Sequence, residues 1–248
     1  MSRTSQTPTK STTERPLSAS RRRGLTVALV GADGAGKSAI ADRLRVTSQL
    51  PAEVRTVYMG VNLEASTLML PTTRLLLAAR KARGRRPDLV ATPLQSGAVV
   101  GSGRPHRRLL QSGKNAARMT VWTSEEWLRQ LVVWRHRARG CIVVLDRHFL
   151  ADYYYAGAGS HSARLHGWML RHLYPKPDLV VCLDAPGELL YARKPEASVA
   201  WLEDRRQQYL RLADVIPGMV VVDATRPVDA VLADVVSTIR AVWGEEER

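Results

Sequence analysis

With 45% apolar residues in a chain of 248, there is enough non-polar surface for one well-buried core. No apolar run approaches the roughly 18 residues that cross a bilayer and no apolar block has the form of a secretory signal; Cys141 and Cys182 lie inside apolar runs (CIVVLD and LVVCLD) that read as buried strands, so a membrane span, an exported protein and a disulfide scaffold are set aside in favour of the reducing cytoplasm. The formal charge of +14 speaks to association rather than to fold, and because no Phe, Tyr or Trp falls in the segments that carry it, base stacking on nucleic acid is argued against.

Residues 1–24 (MSRTSQTPTKSTTERPLSASRRRG) hold six Lys/Arg against Glu14 and almost no large apolar side chains. Such a segment cannot offset the entropy of ordering, and a disordered basic tail is expected. LTVALV (25–30) is an apolar run bounded by glycine and reads as a buried strand. Glycine-rich GADGAGKS (31–38) follows, then a helix over Ala39–Arg45 with Ile40 and Leu44 on one face, then a strand over 54–59. Strand, loop, helix and strand make a βαβ unit.

The stretch from about 83 to 118 has five glycines, three prolines and no sustained period, and a loop of that length is functional or mobile. It lies within a basic insertion, for residues 72–118 hold eleven Lys/Arg against Asp88. Solvation, an anionic substrate and an acidic membrane surface are all open as reasons for that charge. Trp127, Leu131 and Trp134 then repeat at i, i+4 and i+7, which predicts an amphipathic helix over 124–138 with that stripe facing the core. Strands follow at 141–146, 179–184 and 219–224, separated by helices from about 186 and over 199–213. A closing helix spaces Val228, Val231, Val235 and Ile239 on one face. Strands that are apolar throughout and alternate with helices predict an α/β fold with a five-stranded parallel sheet covered on both sides, one domain over 25–248.

GADGAGKS fits G-x-x-x-x-G-K-[ST] between a predicted strand and a predicted helix, the context that a Walker A loop requires. Gly31, Asp33, Gly34, Ala35, Gly36, Lys37 and Ser38 then form the nucleotide-binding loop. Its glycines let backbone N–H groups approach phosphate oxygens, and the helix N-terminus adds its positive end. Lys37 is a point charge for the β and γ phosphates, and the Ser38 hydroxyl is a magnesium ligand. Asp146 closes an apolar strand at the carboxyl edge, where a second magnesium ligand belongs. Arg147 beside it suits bidentate contact with phosphoryl oxygens. The cofactors implied are ATP and Mg²⁺.

The chain resembles the thymidylate kinase family of P-loop nucleoside monophosphate kinases. The resemblance is carried by the GxDGxGK[ST] form of residues 31–38, by DRH at 146–148, by Tyr155, by PDLVVCLDAP (177–186) with Arg193 and RRQQYLRLA (205–213), and by VVVDATRPVDAV (220–231). It implies a P-loop NTPase three-layer α/β/α fold with strand order 2-3-1-4-5, ATP as donor, a mobile lid and a homodimer. In that likeness Asp33 faces the acceptor sugar, Arg147 the acceptor phosphate, and Arg193 and Arg206 the transferring phosphoryl group. Ala224 and Thr225 border the adenine. With Ala at position 35, Arg193 is the candidate mobile cation, with Lys194 behind it.

The departures concern the acceptor. YMGVNLEAS follows the second strand where the family has a REPGGT-like segment. Glu125 stands near the family's arginine position, and Ala151 and Ala156 replace its Ser and Gln. Loss of hydrogen-bonding partners for a base removes discrimination on the order of 10⁴-fold, so thymidylate itself is not implied as firmly as the donor. Tyr153, Tyr154, Tyr155 and Trp168 suit an acceptor pocket or core packing equally. The expected partner is a small-molecule phosphate acceptor: a nucleoside monophosphate first, a nucleoside or sugar second. The alternative from another class is a non-catalytic ATP-binding protein that contacts polyanions through its basic segments.

Overall fold

The computed structural model describes residues 24–59, 70, 82, 120, 123–146, 168–169 and 172–245. Residues 1–23 of the expected tail, the insertion at 83–118, Arg147 and Tyr153–Tyr155 lie outside them. The elements in chain order are β1 (Thr26–Val30), α1 (Lys37–Val46), β2 (Val54–Tyr58), α2 (helical over 123–137), β3 (Ile142–Asp146), β4 (Leu179–Asp184), α3 (Gly187–Arg193), α4 (Val199–Arg211), β5 (Val220–Asp223) and α5 (Val228–Glu245). A short 3₁₀ turn, Leu212–Asp214, follows α4.

All strand pairs are parallel and the sheet order is β2-β3-β1-β4-β5, as the resemblance implies. Side chains alternate between the two faces of each strand, and both faces are apolar. Val27, Leu29, Ile142, Val144, Leu179, Val181 and Leu183 meet Ile40 and Leu44 of α1 and Val231, Val235 and Ile239 of α5 on one side. Ala28, Val30, Val143, Leu145, Val180 and Cys182 face the other side, with Val57, Met59, Val133 and Tyr174. This double burial is why the central strands read as unbroken apolar runs. Edge strands β2 and β5 are the exceptions, since Arg55 is exposed and Val221 is 44% exposed.

One packing expectation is corrected. Helix α2 forms as predicted, but Leu131 and Trp134 are exposed, and the buried face is Glu125, Glu126, Arg129, Gln130 and Val133. A rule that turns the most apolar stripe inward picks the wrong face here. Opposite charges on Glu125, Glu126 and Arg129 offset one another's burial, while Trp127, Trp134 and Tyr174 pack edge-on along the flank.

At the amino edge of the sheet, Asp178 accepts from Thr26 N–H at 2.8 Å and from Thr26 Oγ1 at 2.5 Å, and pairs with Arg137 at 3.0 Å. It ties β1, α2 and the approach to β4 together. Replacing it by Ala strands the buried Thr26 donors, so Asp178→Ala is expected to cost about 2–3 kcal/mol of unfolding free energy, read as a lower urea midpoint with an unchanged slope.

Candidate functional site

Parallel pairing of β1 with β3 aligns Leu29 with Asp146. The loop that leaves β1 therefore starts beside the acidic tip of β3. Gly31, Gly34 and Gly36 have φ of 139°, 88° and 90°, values that suit glycine. Two of them are also held by contact. A Cβ on Gly31 would lie 2.5 Å from Leu183 O, and one on Gly34 would lie 2.6 Å from Leu190 O. The phosphate loop thus rests directly on the end of β4 and on α3. Gly36 is the N-cap of α1, whose first residue is Lys37, so the helix opens two residues earlier than its apolar spacing predicts.

Lys37 is buried at 7% exposure, and its Nζ donates to Gly31 O and Ala32 O, both at 2.8 Å. These contacts hold the ammonium inside the loop. Ser38 Oγ donates to Asp146 Oδ2 at 3.1 Å. The other carboxylate oxygen, Asp146 Oδ1, is buried with no hydrogen-bond partner among the described residues. A hydroxyl and a carboxylate with a spare buried oxygen are hard oxygen donors, and they fit a magnesium ion that keeps several waters. Ala35 is buried in the core, and Asp33 is half-buried in the same loop.

The far side of the loop is built by Arg206. Its Nε and Nη2 donate to Asp184 Oδ1 at 2.6 Å and Oδ2 at 2.8 Å, and Nη1 donates to Glu203 Oε1 at 2.9 Å. Glu203 Oε2 in turn accepts from the N–H of Gly187 at 3.0 Å. Hydrogen bonds to Asp184 push the Arg206 guanidinium above its ordinary value. Gln207, then the Gly187 amide and Arg206, hold Glu203 below its own. The fork engages both carboxylates at once, and it fastens α4 to the tip of β4 and to the start of α3.

Arg193 ends α3 and is exposed, and Lys194 pairs with Glu196 at 2.9 Å. Ala224 is buried and donates its N–H to Asp184 O at 2.8 Å, while exposed Thr225 donates to Asp223 through both N–H and Oγ1. Those two bonds hold the Asp223 carboxyl below its usual range. Burial, with Asp184 adding to it, pushes the Cys182 thiol up to about 12, so this cysteine is an inert part of the core. Sequence reading did not anticipate Asp184, Glu203 and the polar face of α2. For Asp184 the signal was present: it ends an apolar strand as Asp146 does.

The five-stranded parallel sheet with helices on both faces and a glycine-rich strand-to-helix loop is an α/β P-loop kinase fold. Comparison with known proteins refines this. The thymidylate kinase family model matches residues 115–235. The thymidylate kinase of Xanthomonas euvesicatoria pv. vesicatoria is 29% identical over 216 residues, covering 84% of this chain and 80% of that protein. A protein named "Probable thymidylate kinase" from Archaeoglobus fulgidus is 32% identical over 109 residues, or 41% of this chain and 55% of its own length. "Probable thymidylate kinase 1" from Saccharolobus solfataricus is 30% identical over 107 residues, or 40% and 54%. The chain thus spans about half the length of the two archaeal relatives. Fold, loop and matches together support a thymidylate kinase-like family.

Arg206→Met keeps most of the aliphatic stem but leaves the half-buried Asp184 without its fork. The expected loss is about 2 kcal/mol of stability, measured by urea unfolding, and Asp184→Asn combined with it should recover part of that loss.

Proposed function

We propose that this protein is an ATP- and magnesium-dependent kinase that transfers the terminal phosphate to a nucleoside monophosphate. The observation that carries the reading is the Ser38–Asp146 contact at 3.1 Å beside a glycine loop that encloses Lys37. Ser38 and Asp146 would hold the magnesium ion, which when bound neutralises charge on the β and γ phosphates. The remaining work is positioning and charge. Backbone amides of 34–38 grip the polyphosphate, and Lys37 turns its ammonium toward the same oxygens. An acceptor phosphate oxygen attacks the γ phosphorus as the bond to the β–γ bridging oxygen breaks, and ADP leaves.

Arg193, exposed at the end of α3, is the lid cation of this proposal, and Arg147, next to Asp146 in the chain, binds the acceptor phosphate. Ala224 and Thr225 border the adenine, and Asp33 faces the acceptor. Arg206 serves this site by holding α3 and α4 against it, a role its ion pairs with Asp184 and Glu203 support better than direct contact with phosphate. A cytoplasmic location and a homodimer belong to the same proposal. No helix among the described residues is long and apolar enough to cross a membrane.

Two measurements test the reading. Calorimetry should detect uptake of Mg·ATP by the wild type, and Lys37→Ala should lower phosphoryl transfer at least about 100-fold. Transfer that survives Lys37→Ala would refute the assignment. Asp146→Asn should raise the magnesium concentration needed for half-maximal transfer by about tenfold or more, with a smaller effect on nucleotide affinity measured without metal.

A further inference from the structure

The amino edge of the sheet, away from the phosphate loop, carries cations that the site above does not use. Backbone bonds gather distant segments there. Gly24 N–H donates to Arg137 O at 3.0 Å, Cys141 N–H to His136 O at 3.2 Å, Ile142 N–H to Glu53 O at 2.9 Å and Asp178 N–H to Thr26 O at 3.0 Å. The end of α2, the starts of β1, β2 and β3 and the approach to β4 thus meet, and they bring Arg55, Arg135, Arg137, Arg139 and Lys176 to one edge. Two carboxylates answer them: Arg55 pairs with Glu53, and Arg137 with Asp178 at 3.0 Å. Arg135 and Arg139 are exposed and make no ion pair among the described residues. His136 lies among these charges. Burial, then Arg55, Arg139 and Arg135, hold its imidazole below the ordinary value, with Glu53 opposing.

The basic tail joins the fold at the same place. Gly24 is seated so closely on this edge that a Cβ would lie 2.4 Å from Cys141 O and 2.6 Å from Arg137 O. Arg21, Arg22 and Arg23 immediately precede it in the chain, so covalent connection adds their charges to the edge. The phosphate loop stands at the other end of strands about 13 Å long. A surface held against the amino edge therefore leaves the nucleotide site open.

Trp134 indicates what that surface is. It is 41% exposed, it directly precedes Arg135, and it stands about 5 Å along the helix axis from Arg137. Exposed guanidinium groups beside an exposed indole suit the boundary of a bilayer, where anionic headgroups take the charges and the indole enters the interfacial layer. A nucleic-acid duplex matches the charges through its phosphates but leaves the indole without a counterpart.

We propose that the amino edge, with Arg55, Arg135, Arg139 and Trp134 on it and Arg21–Arg23 next to it in the chain, docks on the surface of an anionic phospholipid membrane. Contact is reversible and electrostatic, and the carboxyl edge faces the solvent that supplies nucleotide.

The experiment is sedimentation of the full chain with vesicles of phosphatidylcholine, with and without phosphatidylglycerol, at low and at high salt. The wild type should partition onto the anionic vesicles at least about tenfold more than onto the neutral ones, and lose that preference at high salt. Arg135→Gln combined with Arg139→Gln should lower the anionic partition about 30-fold, at about fivefold for each charge, with Mg·ATP uptake by calorimetry unchanged. Trp134→Gln should weaken it about fivefold. Equal partition onto both kinds of vesicle, or none onto either, overturns the inference even if a variant does not fold, and so does anionic binding that persists in the double arginine variant. A duplex oligonucleotide that strips the wild type from anionic vesicles at equal phosphate concentration makes nucleic acid the partner and overturns it. A Trp134→Gln variant that splits a dimer of the full chain while vesicle binding stays intact puts a second copy on this face, and overturns it too.

Discussion

Parallel hydrogen bonding between β1 and β3 is the constraint from which the site follows. It brings the end of a strand at residue 30 alongside the end of another at residue 146, and it ends both at the carboxyl edge. A loop leaving the first strand must pass the acidic tip of the second. Ser38 then comes within hydrogen-bonding reach of Asp146 although the two are 108 residues apart in sequence. The apolar faces on both sides make that register hard to shift, because a slip of one residue would exchange the two buried sets of side chains.

The loop itself is shaped as much by what it touches as by its own conformational freedom. Gly31 and Gly34 approach the backbone of β4 and α3 more closely than a Cβ permits. That closeness couples the phosphate loop to the hairpin of α3 and α4. The hairpin is in turn held by Arg206 between Asp184 and Glu203. Bidentate geometry suits this task, since a guanidinium can bind two carboxylates in fixed directions and a lysine cannot.

Helix α2 shows where a polar face can be the buried one. Glu125, Glu126, Arg129 and Gln130 are all at most 5% exposed, a pattern that costs desolvation and that opposite charges partly offset. Burial dominates the environment of Arg129 and lowers its pKa, with Glu125 and Glu126 opposing that shift. Such an arrangement stabilises less than an apolar face would. Exposed Leu131 and Trp134 are the counterpart on the outer side.

The local sequence determined much of the architecture. Apolar runs bounded by glycine or acid specify the three central strands β1, β3 and β4, because each is buried through neighbours that its own pattern already requires. Glycine spacing ahead of Lys37 specifies the phosphate loop, because those positions demand backbone conformations that other residues resist. Helix spacing found Ile40 and Leu44, and likewise Val231, Val235 and Ile239. What only the tertiary structure decided are the matters that depend on a partner distant in the chain. Periodicity gave the inward face of α2 to Trp127, Leu131 and Trp134, whereas packing against Tyr174 and the β2–β3 edge turns Glu126, Arg129 and Gln130 inward. Arg206 reads in sequence as one more cation on a charged helix, and only the folded chain sets it between Asp184 and Glu203. Burial, ion pairing and orphaned oxygens are properties of an environment, and that environment is assembled from segments up to a hundred or more residues apart.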